Sequence, residues 1–255
     1  MAVEGAETSE DAVLGGRLVL RQPLKGHRVG HDAILLAAAI SARPGQHLVE
    51  LGAGVGAAGL SVARRIDGVG VTLVEIDPEL AALARDNAAR NCLGDRVRTV
   101  CLDVAARPAA FGAAGLPPGA ADQVLMNPPF NAAQNPSPDR RRRLAHAASR
   151  DTLAQWVQTA ARLLRPSGVI TLIWRADGLD AVLAALSPGF GAVTLLPVHA
   201  RPDAPAIRLL ARAVKGSRAP LSLLPGFWLA DAAGRATEQA KAVLREGAVL
   251  SLVGT

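Results

Sequence analysis

The chain has 255 residues, half of them hydrophobic, and carries 28 Lys and Arg against 22 Asp and Glu, for a net charge of +6. That length suits one large α/β domain with small additions, and the basic balance favours a polyanionic partner. Two cysteines without metal-ligand spacing, Cys92 and Cys101, exclude a disulfide framework and point to a reducing cytoplasm, and no segment is long and apolar enough to span a bilayer.

Residues 1–13 are small, polar and acidic, with neither the basic nor the apolar part of a signal peptide, so a disordered tail is expected there, followed by a single domain over 14–255. Gly15–Pro23 alternates apolar and polar residues, as an edge strand or hairpin does. The Gly30-His31-Asp32 stretch leads into an apolar helix over Ala33–Ile40, offering backbone donors and an N-cap carboxylate. A capped helix with solvated histidines is the plainer alternative.

A short apolar strand then runs into Glu50-Leu51-Gly52-Ala53-Gly54-Val55-Gly56, where glycines let the backbone approach a ligand closely, and a helix of small residues follows. The next strand, Val71–Asp77, ends in Glu75 and Asp77, roughly 20 positions on, where a carboxylate is expected to meet ribose hydroxyls. A helix to Asn91 presents an apolar stripe through Leu80 and Leu83. Arg96–Val104 reads as a third parallel strand, and Asp103 at its end either receives an exocyclic amine or caps the following turn. Residues 105–120 form a Pro/Gly/Ala-rich connection.

The fourth strand ends in Met126-Asn127-Pro128-Pro129-Phe130. Asn127 offers an amide acceptor and donor at the strand tip, the prolines cannot continue a sheet ladder, and Phe130 has a flat face suited to a nucleobase. With only three Trp, four Phe and no Tyr in the chain, an aromatic ring placed there carries weight. Arg140, Arg141, Arg142 and Arg143 form a basic run just beyond. Asp151–Arg165 is an amphipathic helix, Gly168–Trp174 a buried strand, and Leu179–Leu186 a short helix. Ala192–His199 and Ile207–Val214 form a last antiparallel pair, before a small strand and a final helix over Ala236–Arg245. Alternating strands and helices imply an α/β, doubly wound sheet, mostly parallel, with ligands at the carboxyl ends of its strands.

Together the glycine turn, Glu75, Asp103 and Asn127–Phe130 resemble the class I S-adenosylmethionine-dependent methyltransferases of the amino-methylating branch. Gln22–Leu36, and Ser137-Pro138-Asp139 with Arg142, Arg143 and His146, are similar to the bacterial family that methylates adenine N6 beside the anticodon of valine tRNA. The resemblance implies a Rossmann-like fold and a cytoplasmic enzyme. It implies S-adenosylmethionine as cofactor, S-adenosylhomocysteine as product and tRNA as partner, with no metal and no membrane; the oligomeric state is left open between a monomer and a weak dimer.

The cofactor would be held by Arg28, Gly30, His31, Asp32, Glu50, Gly52, Ala53, Gly54, Gly56, Glu75, Asp103, Val104 and Asn127, although His31 and His27 stand where such proteins often carry Thr and Tyr. Asn127, the Pro128 carbonyl and Phe130 would be catalytic, and Arg140 to Arg143 would contact RNA phosphates. Glutamine side chains and rRNA bases are alternative substrates for the same strand-end motif. A glutamine methyltransferase would be expected to carry a separate N-terminal helical domain.

Overall fold

The computed structural model describes residues 7–25, 28–129 and 150–252. It begins with a hairpin in which β1 (Thr8–Val13) pairs antiparallel with β2 (Leu18–Pro23), from Thr8 opposite Pro23 to Val13 opposite Leu18. The expectation of a disordered tail through residue 13 is thus wrong for Thr8–Val13. The acidic residues that suggested disorder have partners far along the chain: Asp11 accepts from Gln22 and Arg28 at 2.7 Å each, and Glu10 pairs with Arg90. Helix α1 (His31–Ala38) starts two residues before the expected Ala33.

Next come β3 (His47–Leu51), α2 (Ala57–Arg65), β4 (Gly70–Glu75), α3 (Pro78–Arg90), β5 (Val97–Cys101), α4 (Pro108–Ala113), β6 (Ala121–Met126), α5 (Arg150–Leu163) and β7 (Leu164–Arg175). Strand β3 lies between β4 and β6, parallel to both. The chain therefore winds outward through β4 and β5, then crosses back over β3 to β6 and β7, and open α/β sheets bind ligands in the crevice at such a reversal, beyond the carboxyl ends of the strands. Side chains of β3 alternate between two buried faces. Leu48 and Glu50 turn towards α1, α2 and α3, while Val49 and Leu51 turn towards α4 and α5. Burial on both sides is why these strands read as nearly unbroken apolar runs. Helix α4 occupies the stretch taken from sequence as a plain connection.

Helix α3 packs on a different stripe from the one expected. Leu80 and Leu83 are half-buried, and the covered residues are Ala81, Ala84, Asn87 and Ala88. Small side chains let the helix approach β2 closely, and two amides one turn apart serve as that strand's second edge. Asn87 accepts from Arg21 N at 2.7 Å and donates to Arg21 O at 3.0 Å; Asn91 accepts from Val19 N at 3.0 Å and donates to Val19 O at 2.7 Å. An edge strand is thereby covered without a neighbouring strand.

After β7 come α6 (Leu179–Leu186), β8 (Phe190–His199) and β9 (Ala206–Lys215). Strand β9 runs antiparallel to both β7 and β8, so the expected terminal pair is present and extends the sheet. Two short strands, β10 (Ser222–Leu223) and β11 (Phe227–Trp228), lie parallel to β8, and α7 (Glu238–Glu246) packs with α1. Among the described residues no helix is long and apolar enough to cross a membrane.

Candidate active site

Three strand ends define the crevice. The glycine turn leaves β3 at Gly52, Glu75 closes β4, and Asn127 follows β6. Leu51 sits opposite both Val74 and Met126 in the ladders, so all three reach the same edge of the sheet.

The turn and the carboxylate hold one another. Ala53 N donates to Val74 O at 2.9 Å, Gly54 N donates to Glu75 Oε2 at 2.7 Å, and Asp77 N donates to Glu75 Oε1 at 3.0 Å. Two backbone donors thus orient a carboxylate that is only 7 % exposed, and each oxygen keeps a second lone pair. Asp77 is spent locally: it caps α3 through Glu79 N and Leu80 N, with Pro78 in the first turn. Gly52 adopts φ +68°, and a Cβ there would collide with the indole of Trp156, which α5 brings across the turn. Ala53 lies within the same turn, and Gly56 begins α2 with φ 87°.

Glu50 lies behind the turn. It is 4 % exposed, and its Oε2 accepts from Gly59 N at 2.7 Å, so it braces the start of α2 from within the core instead of facing the crevice. Burial, outweighing the Gly59 hydrogen bond and reinforced by the charge of Glu75, pushes its carboxyl up to about 8 from 4.5. The folded state therefore binds one proton more than the unfolded chain between about pH 4.5 and about pH 8, and stability falls as pH rises through that window. Glu50→Gln keeps an oxygen for Gly59 N–H and loses the titration. In urea unfolding, its stability relative to the parent should improve between about pH 5 and about pH 9, on the order of a few kcal/mol. An offset independent of pH would mean that Glu50 is already ionised at the lower pH.

At the third strand end, Asn127 is half-buried and its Oδ1 is buried with no hydrogen-bond partner among the described residues. Leaving such an acceptor unsatisfied costs about 1–3 kcal/mol, a burden expected where a ligand supplies the missing donor. Pro128 is buried beside it.

The remaining predicted residues divide. Asp103 is exposed at the same edge, since Leu102 N donates to Glu75 O at 2.8 Å, and its Oδ1 accepts from Ala105 N at 2.8 Å, which caps the turn. Val104 turns its side chain into the core, and its carbonyl accepts from Thr159 at 3.0 Å. The helix cap is corrected: Gly30, not Asp32, is the N-cap of α1, and Asp32 pairs with Arg208 at 2.8 Å. Arg208 lies opposite Arg175 at the carboxyl end of β7, so α1 begins at the crevice edge with Gly30 and His31 exposed. Arg28, expected as a cofactor contact, is exposed and pairs with Asp11 at 2.7 Å. His27, Phe130 and Arg140 to Arg143 lie outside the described residues.

Two residues at this edge escaped the sequence reading. Trp156 carried no signal, since its role depends on where α5 docks. Ile76 did carry one: a large apolar residue between two strand-end acids, 61 % exposed beside Glu75.

A glycine turn after the central strand, an acid ending its neighbour and an amide across the sheet reversal define a class I methyltransferase of Rossmann-like fold. The chain belongs to the methyltransferase small domain family, whose model matches residues 27–198. It is 32 % identical over 158 residues to a Porphyromonas gingivalis protein named tRNA1(Val) (adenine(37)-N6)-methyltransferase, and the match covers 60 % of each chain. Among solved structures, an Agrobacterium tumefaciens protein described as a predicted O-methyltransferase superposes with a TM-score of 0.74 at 28 % identity, covering 86 % of this chain and 98 % of that one. The Thermus thermophilus 16S rRNA N2 G1207 methyltransferase, solved with AdoMet and guanosine, has a TM-score of 0.59 at 22 % identity, covering 82 % of this chain and 50 % of that one.

Proposed function

We propose that the protein methylates the exocyclic N6 amine of an adenine in tRNA, with S-adenosylmethionine as the methyl donor. The observation that carries this reading is the buried Oδ1 of Asn127, without a partner among the described residues, at a strand tip that two prolines terminate. Bound at the glycine turn, the cofactor would supply an electrophilic methyl group. Glu75, already aimed by Gly54 and Asp77, has lone pairs left for ribose hydroxyls, and the exposed face of Ile76 suits the adenine ring of the cofactor.

An aromatic amine is a poor nucleophile because its lone pair is delocalised into the ring. Asn127 Oδ1 and the Pro128 carbonyl, accepting its two protons, would favour a pyramidal nitrogen and direct its lone pair out of the ring plane. The amine proton becomes acidic only as the N–C bond forms, so no strong base is required. A hydroxyl substrate would need a base before attack, and a carboxamide is not one. Phe130 would stack on a base swung out of its own stack, which is worth about 1–3 kcal/mol.

Mass spectrometry of nucleosides from cells lacking the protein tests the reading. N6-methyladenosine should disappear from a tRNA fraction and return on complementation. A loss confined to rRNA, or loss of a methylated glutamine with tRNA unchanged, would transfer the chemistry to another substrate.

Arg140 to Arg143 follow the strand-end motif after residues 131–139 and would grip RNA phosphates. Neutralising all four should weaken binding to many RNAs alike and flatten its salt dependence, leaving base choice intact. An unchanged salt slope and rate would remove these arginines from the interface.

A further inference from the structure

A cavity of about 400 Å³ lies away from the crevice, lined by Leu14, Arg17, Arg64, Arg65 and Gly247. Helix α2 connects the two places. It starts at Gly56 beside the glycine turn and carries Arg64 and Arg65 in its last turn, about 13 Å away along its axis. The opposite wall is the turn between β1 and β2, with Arg17, docked on the end of α7 so closely that a Cβ on Gly15 would lie 2.7 Å from Arg245 O.

Each guanidinium is anchored on a carbonyl. Arg17 donates to Glu246 O at 2.6 Å, Arg64 to Asn91 O at 2.6 Å, and Arg65 to Ala37 O at 2.8 Å and Ile40 O at 2.6 Å. Those bonds explain each arginine singly, as a partner for the end of a helix or its following loop. They do not explain why three such groups from two parts of the chain meet around one cavity. Among the described residues no acidic side chain lines it, and none of the three forms an ion pair. Every guanidinium has five N–H donors, so each keeps some after its anchor is made. Like charges held together without a counter-charge repel, and Arg65 is further penalised by burial, which lowers its affinity for its proton.

We propose that this cavity is a phosphate-binding site, taking a phosphodiester of bound RNA or the phosphate of a small free ligand. Arginine suits this chemistry because its planar fork matches phosphate oxygens two at a time. The distance from the glycine turn means that a phosphate here would not belong to the reacting nucleotide. In an RNA it would be a remote contact that holds the substrate, and in a small molecule it would be a second ligand.

Arg17→Gln/Arg64→Gln tests the assignment in the full-length protein, leaving the more buried Arg65 in place. Arg201→Gln/Arg235→Gln, on exposed arginines elsewhere, serves as a charge-matched control. Binding of inorganic pyrophosphate is measured by calorimetry and binding of bulk tRNA by fluorescence anisotropy, after thermal melts show that both variants fold. A loss of about tenfold or more beyond the control is expected for at least one probe. Loss for tRNA alone identifies an RNA phosphodiester; for tRNA, KM should rise with kcat unchanged. Loss for pyrophosphate identifies a free phosphate ligand and stands even if the protein acts on no RNA. If the double variant matches the control with both probes, or neither probe binds the parent protein, the cavity is not a phosphate site.

Discussion

Asn127→Ala is expected to bind S-adenosylmethionine nearly as well as the parent protein and to lose most of its turnover. The side-chain oxygen is buried without a partner among the described residues, while the glycine turn is anchored by Val74 and Glu75, so truncation leaves the cofactor side standing. Removing one positioned group of this kind typically costs on the order of a hundredfold or more in rate. Folding should not suffer, because the change deletes a buried acceptor that no described residue satisfies instead of a made hydrogen bond. Single-turnover kinetics with saturating cofactor and RNA would report the effect. A rate within a few-fold of the parent would show that the amine is held elsewhere and would remove Asn127 from the chemistry.

Glu75→Ala should act on the other side of the crevice, raising the dissociation constant for S-adenosylmethionine by the worth of charge-assisted hydrogen bonds, about 1.5–3 kcal/mol. Its geometry adds a consequence. Gly54 N and Asp77 N would both lose their acceptor, so the turn itself should loosen. Glu75→Gln should not restore full affinity, because its amide nitrogen cannot accept from whichever backbone N–H faces it. Calorimetry with S-adenosylhomocysteine measures both variants without turnover. Parent-like affinity in Glu75→Ala would exclude the ribose role.

Much of the active edge was legible in the sequence because its signals are local. A glycine run between a strand and a helix, an acid at the next strand end and an amide before two prolines are short patterns set by backbone requirements. Once the parallel sheet was inferred, these patterns had to meet at one edge, and Leu51 opposite both Val74 and Met126 brings them there. The terminal antiparallel pair was legible for a similar reason: two adjacent apolar runs of strand length require little else to specify them.

What the sequence determined by itself was thus the order of the main sheet's long strands, the doubly wound class and the residues at the strand tips. The tertiary structure alone decided everything that depends on partners distant along the chain. Thr8–Val13 looked like a solvated acidic tail until Gln22, Arg28 and Arg90 supplied its donors. Asp32 looked like a cap until Arg208, 176 positions on, claimed its carboxylate. Asn87 and Asn91 could pass for surface polar residues in a helix, yet they form the second edge of β2. Glu50 and Glu75 show the same division within one site. Both are acids at strand ends, and only the fold separates a brace that accepts from Gly59 and is pushed up to about 8 by burial from a carboxylate that Gly54 and Asp77 orient at the sheet edge. Local patterns follow from what a few adjacent backbone and side-chain groups allow, whereas the state of a charge depends on which groups and how much water the folded chain brings to it.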